Sequence, residues 1–341
     1  MQGKIAIEEH FVTAGLEHTL FPTIGWDPDE WADVQRRLGE AGSLRLEEMD
    51  RHGVEIAVLS LAAPCIQLIA DPYEAVVQAR ASNDALAGVV ESHPDRFAGF
   101  AALPMQDPKA AANELARSVE ELGFRGALVN GYSNLGDGIA YYDEPQFLPV
   151  WERLAELGVP LYLHPRNPWE SQMRIYEDRG ELLGPAWAFA VETATHALRL
   201  ITSGLFDRFP DLTVILGHLG EMLPFAVDRL QQRLSHVPAF SLQRSAPAYL
   251  RENFYVTTSG NFHTQSLIGA LLQVGADRIM FAVDYPFESH ADAAAWFDTV
   301  AISEPDRLKI GRTNAQRLLG LSPTETTGDM RARAAAPGSM R

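Results

Sequence analysis

The sequence predicts an α/β chain closed into a (β/α)8 TIM barrel, and three observations carry that prediction. Eight short apolar segments alternate with longer amphipathic ones along 341 residues, about the length such a barrel needs with insertions. No glycine-rich phosphate loop follows the first segment, which argues against a doubly wound open sheet. Several segments end in polar, chemically able residues, namely Glu8, Ser60, Asn130, His164, His218 and Asp284. Barrel active sites are built at the carboxyl ends of strands, so these endings favour the barrel.

The strand segments are 4–8, 56–60, 97–102, 126–130, 160–164, 212–216, 254–258 and 279–283. Most are rich in Val, Ile, Leu and Phe and bounded by Gly, Pro, Asp or Asn, as strands covered on both faces should be. Between them, 72–92 carries Ala and Val at three- and four-residue spacing, and 109–122 repeats Ala, Leu and Val at the same period. Segments 145–157, 185–203, 264–275 and 291–300 also read as helices. Two stretches fall outside the repeat. Residues 11–42 form an insertion after the first strand, carrying Phe21, Trp26 and Trp31. A connection that long is expected to serve as a lid or interface element. Residues 322–341 lack apolar periodicity and are expected to form a flexible tail. One catalytic domain is therefore expected over 1–321.

Composition narrows the function classes. Hydrophobic residues make up 46% and charged residues 21%, which is ordinary globular usage. Lys and Arg total 28 against 45 Asp and Glu, a formal net charge of −17. A chain this acidic lacks the cationic footprint for non-specific nucleic-acid binding and is repelled by anionic membrane surfaces. If its substrate is an anion, a few local cations must overcome the overall field. The lone cysteine, Cys65, excludes an intramolecular disulfide and a cysteine-rich zinc site. The amino-terminal residues hold no apolar run of signal-peptide length, and no window approaches a membrane span. A cytoplasmic protein is expected.

The chemistry concentrates at the strand ends. In an extended segment Glu8 and His10 point to one side and Glu9 to the other. His164 closes the apolar run Leu161-Tyr162-Leu163, and Pro165 follows it. His218 sits between Gly217 and Gly220, and Glu221 lies three residues on, within hydrogen-bond reach on a helical turn. A carboxylate partner fixes an imidazole tautomer and raises its basicity. Asp284 ends the eighth segment. Each of these residues alone has an ordinary structural reading, as a solvated strand end, a core histidine, a helix-start pair or an N-cap. Together, Glu8, His10, His164 and Asp284 could converge only in the barrel. Imidazole with carboxylate suits Zn2+ or Mn2+ better than Ca2+. Trp26, Trp31, Phe21, Tyr285 and Trp187 have faces that could stack on an aromatic ring, with core or interface packing the alternative. Arg166 could meet a substrate carboxylate or form a structural ion pair.

The stretches GKIAIEEHF (3–11), PDRFAGFAALPMQDP (94–108), VPLYLHPRNP (159–168), ILGHLGEMLPF (215–225) and ADRIMFAVDYPFE (276–288) carry a resemblance. The chain resembles the amidohydrolase-related non-oxidative aromatic acid decarboxylases. That resemblance implies a metal-dependent barrel of the amidohydrolase type, one divalent metal ion (Zn2+ or Mn2+ ahead of Mg2+), no organic cofactor and a homotetramer. It implies reversible decarboxylation of γ-resorcylate (2,6-dihydroxybenzoate) to resorcinol, or of a close 2-hydroxybenzoate such as 2,3-dihydroxybenzoate or salicylate. Carried over by position, Glu8, His10, His164 and Asp284 would be metal ligands. Asp284 would also deliver a proton to the ring, with His218 and Glu221 as the supporting acid–base pair. Arg229 would contact substrate from a neighbouring subunit; Trp26, in an insertion that departs from the family pattern, is expected to contact substrate through its aromatic face. Two other enzyme readings stay open, a metal-dependent hydrolase (lactonase or amidase) and a hydratase of ring-cleavage products. Hydrolases of this superfamily more often begin with H-x-H, where this chain has Glu8-x-His10. A non-catalytic metal-binding protein is a third alternative.

Overall fold

A computed structural model describes residues 1–21, 26–237 and 241–321. Eight parallel barrel strands run in chain order. They are β1 (Lys4–Phe11), β2 (Val54–Leu61), β3 (Phe97–Gly99, resumed at Ala101–Ala102), β4 (Ala127–Asn130), β5 (Leu161–His164), β6 (Val214–Leu216), β7 (Phe254–Thr257) and β8 (Ile279–Met280). Each pairs with the next except across the break in β3, where the strand changes partner. Phe100 N–H donates to the Leu59 carbonyl on one side, and Ala101 N–H to Gly126 on the other. The barrel closes where the chain beyond β8 meets β1. Glu9 and Tyr285 form a parallel bridge there. Asp284 N–H reaches the Glu8 carbonyl at 2.9 Å, and His10 N–H reaches the Tyr285 carbonyl at 2.7 Å.

The barrel interior is packed with Ile5, Ile7, Val58, Phe100, Leu128, Tyr162, Ile215, Tyr255 and Met280, joined by Leu319 of the last described helix (Asn314–Leu319). A larger apolar layer fills the space between strands and helices. Ile5 and Ile7 face inward, and strict alternation would turn Glu8 and His10 outward. A register shift intervenes: Ala6 pairs with Ala57 but Glu9 with Leu59, so β1 carries one extra residue. Such a bulge re-aims side chains, and here it turns Glu8 and His10 to the barrel's inner side.

Several elements differ from the sequence reading. The segment 279–283 keeps ladder pairing only over Ile279–Met280, because the chain beyond it bends to meet β1. The expected helix 185–203 begins as a separate 3-10 turn, Gly184–Ala186, before the α-helix Ala188–Thr202. Helices Ser43–His52, Leu223–Leu234 and Ala246–Asn253 were not anticipated. The 11–42 insertion contains the helix Pro28–Leu38, whose first turn is capped by Asp27 accepting from Asp29 N–H. Its end returns to the barrel through Val12 N–H to the Leu38 carbonyl. Cys65 is buried and free. Residues 322–341, expected as a tail, lie outside the described residues. Among the described residues no helix is long and apolar enough to cross a membrane.

Candidate active site

Glu8, His10, His164 and Asp284 each offer one donor atom, and the four donors lie within 4.8 Å of one another. Two come from β1, one from the end of β5 and one from the bend after β8. His10 Nε2 stands 3.1 Å from Asp284 Oδ1, and His164 Nε2 stands 3.4 Å from Glu8 Oε1. The two imidazole rings meet edge to face, 4.6 Å between centroids. Glu8 Oε1, His10 Nε2 and Asp284 Oδ1 are buried with no hydrogen-bond partner. Buried polar atoms are almost always satisfied, so three of them aimed at one point call for a cation. Burial pulls the His164 imidazole well below its usual range, helped by the neighbouring His10, which keeps it neutral and able to ligate. Burial, reinforced by Asp284, pushes the Glu8 carboxyl up against the pull of His218 and His10. A divalent ion would relieve that strain. The donor set fits one.

Outer partners orient these donors. Ser60 Oγ shares a hydrogen bond with His10 Nδ1 at 3.3 Å. Glu8 Oε2 accepts from the Tyr162 hydroxyl and from Thr257 Oγ1, the latter at 3.1 Å. Glu9 faces the opposite side, as alternation requires, and accepts from Val283 N–H at 3.1 Å.

His218 links the metal cluster to a second carboxylate. Its Nε2 is 3.4 Å from Asp284 Oδ2, and its Nδ1 is 2.7 Å from Glu221 Oε1. The expected hydrogen bond is present, but the turn that makes it is not a right-handed helical one. His218, Leu219, Glu221, Met222 and Asp284 all have positive φ, between 51° and 78°. Such strain in residues with side chains collects at functional sites. Gly217 packs closely here: a Cβ would lie 3.2 Å from both Glu8 oxygens. Burial works against a charged His218, yet Glu221 and Asp284 outweigh it and hold the imidazole well above its usual range. Burial likewise pushes Asp284 up, but the adjacent His10 and His218 imidazoles prevail and hold it below the carboxylate range. The resting proton therefore belongs to His218, between two carboxylates.

A cavity of about 110 Å³ opens onto His164, His218 and Asp284. Phe21, Trp26, Trp31, Phe189 and Phe287 supply its aromatic walls. The insertion thus brings Trp26 to the site. Tyr285 instead packs at a tilt on His290, 4.8 Å between centroids, with the Arg45 guanidinium 4.7 Å from its ring, and it does not line this pocket. Trp187 lines an adjoining cavity with His218 and Glu221. Arg229 is exposed on the helix Leu223–Leu234 and does not line this pocket. Among the described residues Arg166 makes no ion pair, and its hydrogen-bond acceptors are all neutral.

Tyr162 and Thr257 were missed by the sequence reading. A signal existed for Tyr162, which lies two residues before His164 and so shares its face of β5. Tyr162→Phe removes one donor to Glu8 at little change in volume. It is expected to weaken metal affinity about tenfold with an unchanged melting temperature for the metal-free protein. Chelator competition measures this, and an unchanged affinity would remove Tyr162 from the support of Glu8.

A model of the amidohydrolase family matches residues 10–321. The chain belongs to the amidohydrolase family. Among curated relatives, this amidohydrolase is 52% identical to the gamma-resorcylate decarboxylase of Rhizobium sp. (strain MTP-10005), over 94% of this chain and 99% of the relative. Among solved structures it resembles a 2,6-dihydroxybenzoate decarboxylase complexed with 2,6-dihydroxybenzoate. The TM-score is 0.91 and the identity 51%, covering 94% of this chain and 100% of the other. It also resembles a dihydroxybenzoic acid decarboxylase from Polaromonas sp. JS666 with bound manganese and the inhibitor 2-nitroresorcinol. There the TM-score is 0.90 and the identity 50%, over 95% and 99% of the two chains.

Proposed function

We propose that this amidohydrolase is a metal-dependent carboxy-lyase that decarboxylates hydroxybenzoates without a redox step, converting 2,6-dihydroxybenzoate to resorcinol and CO2. The carrying observation is the four-donor cluster facing an aromatic pocket, in a chain 52% identical to gamma-resorcylate decarboxylases along nearly its full length. A small aromatic acid is its substrate class. Glu8, His10, His164 and Asp284 would hold one divalent ion, with Mn2+ or Zn2+ ahead of Mg2+ for this nitrogen and oxygen set. When bound, the ion supplies positive charge that holds and polarises the carboxylate and ortho oxygen of the acid.

The chain's own residues do the rest. Trp26, Trp31 and Phe189 fix the plane of the ring, which leaves its carboxylate-bearing carbon against Asp284. Direct loss of CO2 would leave an aryl carbanion. Protonation of that carbon avoids it: an ortho oxygen pushes electrons into the ring, and the Asp284 carboxyl gives up its proton. The C–C electrons then return to the ring as CO2 departs. The proton that Asp284 gives up reaches it from His218 Nε2, 3.4 Å from Oδ2, and solvent water restores it to His218 before the next turnover. Glu221 holds the imidazole in position through Nδ1. The steps run backwards at high bicarbonate, so carboxylation of resorcinol is expected too.

Metal-loaded protein incubated with 2,6-dihydroxybenzoate is expected to release resorcinol and CO2, followed by chromatography. Chelation should silence it, and Mn2+ or Zn2+ should restore it. Turnover of lactones with none of any hydroxybenzoate would overturn the reading.

The same reading includes a homotetramer in which Arg229 reaches a neighbouring subunit's site, with the 11–42 insertion as lid. Its support is that Arg229 is exposed, with no ion pair or hydrogen bond among the described residues, on a helix whose Phe225 is 65% exposed. Arg229→Ala is expected to cut activity at least tenfold with no loss of folded protein. Full activity in that variant, or a monomer in sedimentation, sinks the shared site. A cytoplasmic location belongs to this proposal, and cell fractionation tests it.

A further inference from the structure

A second cavity, of about 460 Å³, adjoins the metal pocket and shares Phe21, Ala63 and Phe189 with it. That volume suits a small-molecule site. Arg166 lines it and is only 7% exposed. Buried guanidinium groups are ordinarily paired with carboxylates. Among the described residues the hydrogen-bond acceptors of this one are all neutral, and the nearby Glu192 carboxylate acts on it only through space. Nη1 donates to the carbonyls of Tyr132 at 2.7 Å and Gln67 at 3.3 Å, and Nη2 to Asn134 Oδ1 at 3.3 Å. The guanidinium also lies over the Tyr132 ring, 3.9 Å from its centroid. A guanidinium has five N–H groups. Three acceptors leave Nε–H and one Nη2–H unspent among the described residues. The backbone is shaped to admit the side chain: at Gly131, with φ +65°, a Cβ would lie 2.4 Å from Arg166 Cγ. Trp169 and Phe189 line the same cavity. Glu170, an acidic residue on the same wall, is exposed, so water screens it.

We propose that this cavity is a waiting site for aromatic carboxylates. The spare N–H groups of Arg166 receive the carboxylate of an arriving acid, and its ring rests against Trp169 and Phe189. The shared walls then lead it to the metal pocket. The proposal rests on the decarboxylase reading for the identity of that acid. It also answers an electrostatic need. A chain of net charge −17 repels anions, and a cation with no hydrogen-bonded carboxylate beside the site supplies the local attraction. Bicarbonate presents the same oxygens to a guanidinium, so the test separates the two.

The test titrates metal-loaded protein with benzoate, which has the ring and the carboxylate but no ortho hydroxyl. Trp169 fluorescence is the signal, and Trp169→Phe identifies it. Benzoate is expected to quench it saturably, less at high salt, while bicarbonate at matched pH and ionic strength leaves it unchanged. Arg166→Gln should abolish the quench. So should Met173→Glu, which places a carboxylate on the wall without touching the acceptors of Arg166. With 2,6-dihydroxybenzoate as substrate, either change should raise KM about tenfold while kcat falls far less. Arg166→Lys should fall between. Benzoate binding that survives both Arg166→Gln and Met173→Glu overturns the site, and quenching by bicarbonate in place of benzoate overturns its aromatic assignment. A chain that binds benzoate here yet decarboxylates nothing defeats the functional reading alone. One that decarboxylates with KM unmoved by either change defeats the waiting site alone.

Discussion

Asp284→Asn is expected to abolish decarboxylation while 2,6-dihydroxybenzoate still binds. Asn matches Asp in shape, so Oδ1 still faces His10 and the fold is undisturbed. What disappears is the carboxyl proton. A positioned general acid contributes about 10²–10⁴-fold, and of the acidic groups lining the pocket this one belongs to the four-donor cluster that would hold the acid's carboxylate. Asp284 is held low by His10 and His218 despite its burial, so it makes a poor acid until it takes the His218 proton across 3.4 Å. An amide cannot take that proton. Single-turnover measurement separates this from a binding defect: the variant should saturate with the acid and yield no resorcinol above background. Turnover within tenfold of the wild type would exclude Asp284 as the acid.

The site was legible in the sequence where burial forces a contrast. A parallel strand covered on both faces must be apolar, so a polar residue ending one stands out, and His164 and Asp284 were found that way. Glu8 and His10 were placed on one side by alternation, which holds. Alternation does not reveal which side. Ile5 and Ile7 already occupy the barrel interior, and only the extra residue between Ala6 and Glu9 turns the two ligands inward as well. No residue type announces a bulge, because it arises from pairing with β2.

The pair His218 and Glu221 shows the same limit. Their spacing suggested a hydrogen bond through a right-handed turn, and the bond forms through a left-handed one. Close packing of Gly217 against Glu8 accompanies that path, and such a contact is invisible in one dimension. Phe189 and Phe287 reach the pocket from loops and helix starts with no motif around them. Arg166 was open between a substrate contact and an ion pair. Burial among neutral acceptors removes the ion pair.

His164→Ala should be the most damaging change to the metal itself. Its imidazole is kept neutral by burial and by His10, so it binds a cation without first losing a proton. Removing it leaves Glu8 and Asp284 as buried carboxylates facing only His10 and His218 among the described imidazoles, with Glu8 already pushed upward by burial. Two outcomes are then expected together. Elemental analysis after dialysis should find metal well below one ion per chain, and activity should fall by at least 10³-fold, recovering in part at millimolar Mn2+ if the three remaining donors still assemble. The metal-free form of the variant should unfold at nearly the temperature of the metal-free wild type, because the ring lies at a strand end and not in the apolar core. A variant that retains a full complement of metal would remove His164 from the ligand set. One that loses metal yet works at the normal rate would end the case for metal-dependent chemistry in this chain.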